Sequence, residues 1–167
     1  MQAVEHALIT EDIHPIDIVE TLAERRSWDF DRVGEDQIAM AVEGQWRTYS
    51  LSLTWSAHDE TLRLLCTFDL APPAERMGAM AEAVDRANDR CWTGCFTLWR
   101  EQDLMVYRYG LTLAGGAMAT AGQIDAMLRG AVGACERFYP AFQLVGWGDE
   151  DPETAIGVAI ADAYGRA

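Results

Sequence analysis

At 167 residues, with 50% apolar and 24% charged side chains, the chain has the size and composition of one folded domain and not of a disordered segment. Thirteen basic residues against 27 acidic ones leave a formal charge of −14, which repels phosphate backbones and anionic headgroups and sets nucleic acid and membrane surfaces aside as partners. No apolar run reaches the length of a membrane span, and Met1 to Thr10 carries Glu5 without any Lys or Arg, so the expected compartment is the cytoplasm.

Residues 1–13 are expected to be loosely ordered. From Pro15 to Arg26 the sequence PIDIVETLAERR predicts a first helix, with Pro15 at its first position and Ile16, Val19, Leu22 and Ala23 on one face. The period then drops from 3.6 to 2, the mark of strands. Trp28 and Phe30 alternate with Asp29 and Asp31, and a turn at Gly34-Glu35-Asp36 leads into Ile38, Met40 and Val42. A third strand is expected from Trp46 to Trp55, with Tyr49, Leu51, Leu53 and Trp55 on one side and Thr48, Ser50, Ser52 and Thr54 on the other. That alternation predicts an antiparallel sheet with one wet face. A fourth strand repeats it through Leu62, Leu64, Cys66, Phe68 and Leu70, so the four strands form a meander.

Pro72-Pro73 ends the sheet, and Ala74 to Cys91 turns helical with Met77, Met80, Ala81, Val84, Ala87 and Cys91 in register. Cys95 to Arg100 and Leu104 to Leu113 then flank a turn and predict a hairpin. Thr120 with Gln123 is a capping box opening a third helix from Ala121 to about Tyr139, which Pro140 is expected to end. Asp151-Pro152 starts a short final helix carrying Ile156, Ala159, Ile160 and Ala163. The order α-β-β-β-β-α-β-β-α-α, without internal repeat or linker, describes a single α+β domain over residues 1–167, with about six strands and the helices on one side of the sheet.

Catalytic signatures are missing from this pattern. His6, His14 and His58 stand apart from any nucleophile setting, and no phosphate-binding, nucleophile-elbow or zinc-protease spacing occurs. The paired carboxylates fall in turns or on wet strand faces, where a raised pKa has no cause. Cys66, Cys91, Cys95 and Cys135 all take apolar positions of predicted elements, as small buried hydrophobes do, and lack metal-ligand spacing. The chain is therefore expected to be no enzyme and to need neither metal nor cofactor.

Two features point toward binding. Trp92, Trp99 and Trp147, out of six tryptophans, flank the second hairpin and the end of the third helix. They serve either as filling for the layer between sheet and helices or as interface anchors. On the third helix, Gly122, Ala126, Gly130, Gly133 and Ala134 line a small-residue face apart from the apolar face of Ile124, Met127, Leu128, Ala131, Cys135 and Phe138. Each helical glycine costs about 1 kcal/mol relative to alanine, so close packing must offset it, against the chain's own sheet or across a two-fold axis.

The segments NDRCWTGCFTLW (Asn88 to Trp99), MVYRY (to Tyr109) and CERFYPAFQLVGW (Cys135 to Trp147), with the opening IDIVETLAERRSWDF, resemble the YbjN-domain family of bacterial sensory transduction regulators. The resemblance covers Ile16 to Ala163. It implies a fold similar to type III secretion chaperones, a twisted antiparallel sheet with helices, commonly paired as a homodimer, and it implies no active-site residues. The function expected is a non-enzymatic protein-binding or regulatory module, chaperone-like in manner, whose partners are a second copy and another protein. The alternative is a small-molecule sensor or enzyme with a pocket between sheet and helix.

Overall fold

Alternation of apolar and polar side chains builds the sheet one strand at a time. The computed structural model describes residues 13–164, so most of the segment expected to be loosely ordered, and His6, lie outside the described residues. The chain runs α1 (Pro15–Arg25), β1 (Asp29–Gly34), β2 (Gln37–Glu43), β3 (Thr48–Ser56), β4 (Thr61–Asp69), α2 (Met77–Asn88), β5 (Gly94–Trp99), β6 (Leu104–Thr112), α3 (Ala121–Trp147) and α4 (Pro152–Tyr164), with one 3-10 turn at Ala74–Arg76 before α2. This is the α+β order expected.

All six strands join one antiparallel sheet in the order β1-β2-β3-β4-β6-β5. The first four strands form the meander, and β6 inserts between β4 and β5 because α2 carries the chain past that position before the hairpin returns. Register places Met40 beside Leu51 and Leu51 beside Cys66. Phe68 and Met105 likewise stand side by side. These residues are buried with Ile38, Leu53 and Leu64, while Ser50, Arg63 and Arg108 point to the opposite, open face. The helices cover the apolar face: α1, α2 and α3 touch strands, and α4 lies over α2 and α3 as an outer layer.

The two edges are guarded differently. On β1, Asp29 and Asp31 put charge on the open face of the edge strand, which discourages pairing with another chain. The β5 strand, GCFTLW, has no charge at all. Here the last residue of α2 acts instead: the Phe96 backbone N–H donates to Asn88 Oδ1 at 2.6 Å, and Asn88 Nδ2 donates to the Phe96 carbonyl at 3.0 Å. One amide side chain thus occupies both outward backbone groups at the middle of the edge. Asn88→Leu is expected to destabilise the fold by about 1–3 kcal/mol, the cost of leaving partly buried polar groups unpaired, and to increase concentration-dependent light scattering. Urea unfolding and light scattering on one preparation check both, and unchanged behaviour in each would remove the guarding role.

Several expectations change. Pro140 does not end α3, which continues seven residues further to Trp147. Proline in a helix interior costs about 3 kcal/mol, but the extension buries Ala141, Phe142 and Val145, and burial of one Phe or Val stabilises by about 1.5–3 kcal/mol. Tertiary packing therefore outweighs the local break. On α2 the buried face is Met80, Ala83 and Ala87, with Ala81 exposed, since alanine is too small to reveal in sequence which side it takes. Cys95 lies exposed on the open sheet face, whereas Cys66 and Cys135 are buried and Cys91 is half-buried. With a maleimide near neutral pH, Cys95 is expected to be labelled first, Cys91 slowly, and Cys66 and Cys135 only on unfolding. Mass spectrometry of a time course reads that order.

Candidate functional site: the outer groove of α3

The long helix α3 begins with the capping box read from the sequence: Gln123 N donates to Thr120 Oγ1 at 3.0 Å, and Thr120 N donates to Gln123 Oε1 at 2.9 Å. Its inner face, from Ile124 through Cys135 to Val145, is buried against the sheet. The outer face is also ordered. Ala126, Gly130, Gly133, Arg137, Pro140, Leu144 and Trp147 follow one another at alternating steps of four and three residues, a spacing that holds one straight line along a helix. All seven reach the surface.

This line is small toward the N-terminus and bulky toward the C-terminus. A Cβ added at Gly130 or Gly133 would meet nothing within 4 Å. The glycines do not pack against the protein's own sheet, so their helix cost has no return within the monomer. Beyond Arg137 the line becomes Pro140, Leu144 and Trp147, and Leu144 and Trp147 are 39% and 50% exposed.

Two elements wall the line into a groove. On one side stands the turn between β2 and β3, held on α3 by a single carboxylate. Glu136 accepts from Tyr49 Oη at 2.6 Å, from Gln45 N at 2.9 Å and from Trp46 N at 3.3 Å. At Gly44 a Cβ would run into that carboxylate and the Tyr49 ring, so only glycine lets the turn sit so close. Trp46, expected to open β3, instead lies in this turn and is 50% exposed. On the other side α4 contributes Val158, 48% exposed, and Ala155. Trp46, Pro140, Leu144 and Val158 enclose a cleft of about 320 Å3.

A second cleft, of about 300 Å3, lies toward the N-terminal half of α3, lined by Trp92, Arg90, Gly130, Gly133, Arg137 and Phe138. Gly133 and Arg137 belong to both clefts, which therefore form one groove with a tryptophan at each end. Trp92 is 99% exposed. Below it the Tyr107 hydroxyl is pushed up to about 12, first by burial. Burial also raises the Cys91 thiol, against a smaller opposing effect of Arg137. A thiol so shifted is protonated near neutral pH and is no nucleophile. The groove therefore offers shape, aromatic surface and the guanidinium groups of Arg90 and Arg137, with the Glu136 carboxylate on the wall toward Trp46, and the thiol beside it is not activated.

Of the residues singled out from the sequence, the structure brings together Trp92, Gly130 and Gly133. Ala126 lies further along the same line, with Gly122 exposed another turn back. Trp147 ends the line without lining either cleft. Trp99 lies elsewhere: it pairs with Leu104 on the open side of the sheet, opposite in direction to its core-packed neighbour Leu98. Sequence reading missed Trp46, Arg137, Leu144 and Val158. For the α3 members the signal was present as the four-three spacing, hidden by the expected stop at Pro140.

No helix among the described residues is long and apolar enough to cross a membrane. The family YbjN, described as "Putative bacterial sensory transduction regulator", matches residues 15–144. No curated protein matches the chain. Among solved structures, one described as "Crystal structure of YbjN, a putative transcription regulator from E. coli" is similar over 90% of this chain and 93% of that one, with a TM-score of 0.52 and 13% identity. At that identity the likeness is one of fold.

Proposed function

Because the chain belongs to the YbjN family, whose description is of a regulator, we propose that it acts as a protein-binding regulatory module that docks its partner in the outer groove of α3 and catalyses no reaction. The observation that carries this reading is the exposure of Trp46, Leu144 and Val158 around one apolar cleft. Large apolar side chains gathered on a surface mark an interaction site, and aromatic anchors beside a concavity concentrate binding energy. A partner presenting one apolar ridge, in chaperone-like fashion, would bury all three at once.

Site-directed photo-crosslinking in the native cell tests this. A crosslinker at Val158 is expected to give a discrete adduct that one at Ser52, on the open sheet face, does not. The reading fails if Val158 yields no adduct, or if both positions give the same one.

A second reading, self-association as a homodimer, is favoured by Gly122, Ala126 and Gly130, exposed at steps of four on the N-terminal half of α3. Small residues in that spacing let two helices approach closely, and a two-fold axis would bring the same face of each copy together. Sedimentation velocity is expected to show a dimer that Ala126→Glu converts to monomer. A wild-type monomer at micromolar concentration removes this reading and leaves the groove reading intact.

A further inference from the structure

Arginine supplies every positive side chain among the 13 basic residues of this chain, since lysine is absent. With 27 carboxylates present, a cationic side chain readily finds a neighbour, as Arg26 does at Asp125, Arg32 at Glu20 and Arg86 at Glu82. Among the described residues, Arg25, Arg90, Arg100, Arg108 and Arg137 form no such pair, and of these five Arg90 and Arg137 share one cleft, the one beneath Trp92. Arg137 also stands at the waist of the groove, with its Nε shut away from solvent and without a hydrogen-bond partner. Arg47 Nε is enclosed and unpaired in the same way, so what sets Arg137 apart is its place on both clefts, beside Arg90 in one of them.

We propose that Arg137 and Arg90 anchor a single carboxylate, an Asp or Glu side chain set between apolar residues in a segment of another protein. The proposal rests on the protein-binding reading and specifies what the partner must carry. Guanidinium and carboxylate fit each other as a planar two-bond pair. Gly130 and Gly133 leave the wall beside the arginines open for a peptide backbone, and Trp92 gives an apolar face on the outer side. Past the waist, the cleft of Trp46, Pro140, Leu144 and Val158 receives the apolar residue that follows the acid. The charge of the whole chain limits the partner to an isolated acid: at −14 it repels a polyanion, while salt screens that repulsion at roughly 8–10 Å and leaves a contact pair intact.

The test is a solution NMR titration that follows the Arg137 Nε–H and Trp92 indole N–H resonances. The probes are N-acetyl-Leu-Glu-Leu-amide, its Gln counterpart and inorganic phosphate. Saturable shifts of both resonances are expected with the Glu probe, and binding roughly tenfold or more weaker with the Gln probe. Arg137→Gln and Arg90→Gln are each expected to weaken the Glu probe roughly tenfold, with Arg25→Gln on α1 as an unaffected control. Arg90 is exposed, so its variant remains informative if Arg137→Gln disturbs folding.

Equal affinity for the Glu and Gln probes, or no saturable shift with the Glu probe, overturns the anchor. Phosphate binding as tightly as the Glu probe also overturns it, by assigning the arginines to a small free anion. Loss of a dimer in Arg90→Gln would place the carboxylate on a second copy and overturn the choice of another protein. If crosslinks from Val158 identify a partner while Glu and Gln probes bind alike, docking stands and the anchor falls; the reverse pattern keeps the anchor and removes the docking reading.

Discussion

Phe96→Ala is expected to destabilise the fold by about 3–5 kcal/mol, the range for deleting a buried aromatic ring whose surroundings cannot collapse. Phe96 lies on β5 with its ring 2% exposed and holds the edge of the sheet to the long helix. Its centroid is 5.0 Å from that of Tyr107, 5.2 Å from Phe142 and 5.7 Å from Phe138, all in edge-on arrangements. Truncation leaves a hole bounded by a neighbouring strand and two successive turns of α3, and none of these can move inward alone. The backbone of the same residue is held by Asn88, which resists the strand shift needed to fill the hole. Urea unfolding followed by far-UV circular dichroism measures the change. A loss below about 1 kcal/mol would mean that β5 is not packed on α3 as described.

Glu136→Ala is expected to cost about 2–4 kcal/mol, because one carboxylate serves three donors from another part of the chain and hydrogen bonds to a charged group are each worth about 1.5–3 kcal/mol without being additive. The Tyr49 ring is buried, so its hydroxyl has poor access to replacement water once the acceptor is gone. Burial first, and then the bond to Glu136, keep that hydroxyl protonated well above the usual tyrosine range. It remains a donor at every pH at which the protein is handled. Glu136→Gln keeps an acceptor and is expected to lie between wild type and alanine. Equal stability of all three would show that the turn is not held by this side chain. The substitution also releases the turn carrying Trp46, so reduced crosslinking at the groove should accompany the lost stability.

The sheet was legible in the sequence because its signal is local and periodic. Tyr49, Leu51 and Leu53 against Ser50 and Ser52 state which face is buried, and a register slip of one residue would turn every one of them outward. The helix starts were equally legible, since Thr120 with Gln123, and Asp151 ahead of Pro152, act on backbone groups within three residues; Thr154 N donates to Asp151 Oδ2 at 3.1 Å as that reading requires. Trp92, Gly130 and Gly133 stood out in the sequence for a related reason, since residues costly within a monomer are visible by type, and the fold places the three on one cleft. Trp99 lies apart from them on the open side of the sheet, because nearness in sequence does not say which side of a strand a side chain takes.

The sequence by itself determined the antiparallel α+β layout and the identity of its buried face, because side-chain periodicity is written residue by residue along the chain. Only the tertiary structure decided that β6 lies between β4 and β5, that α3 runs through Pro140 and that Glu136 pins the Trp46 turn beside Arg137. Each of these depends on groups far apart in sequence, whose burial and hydrogen bonding outweigh local preference only once the layers have met.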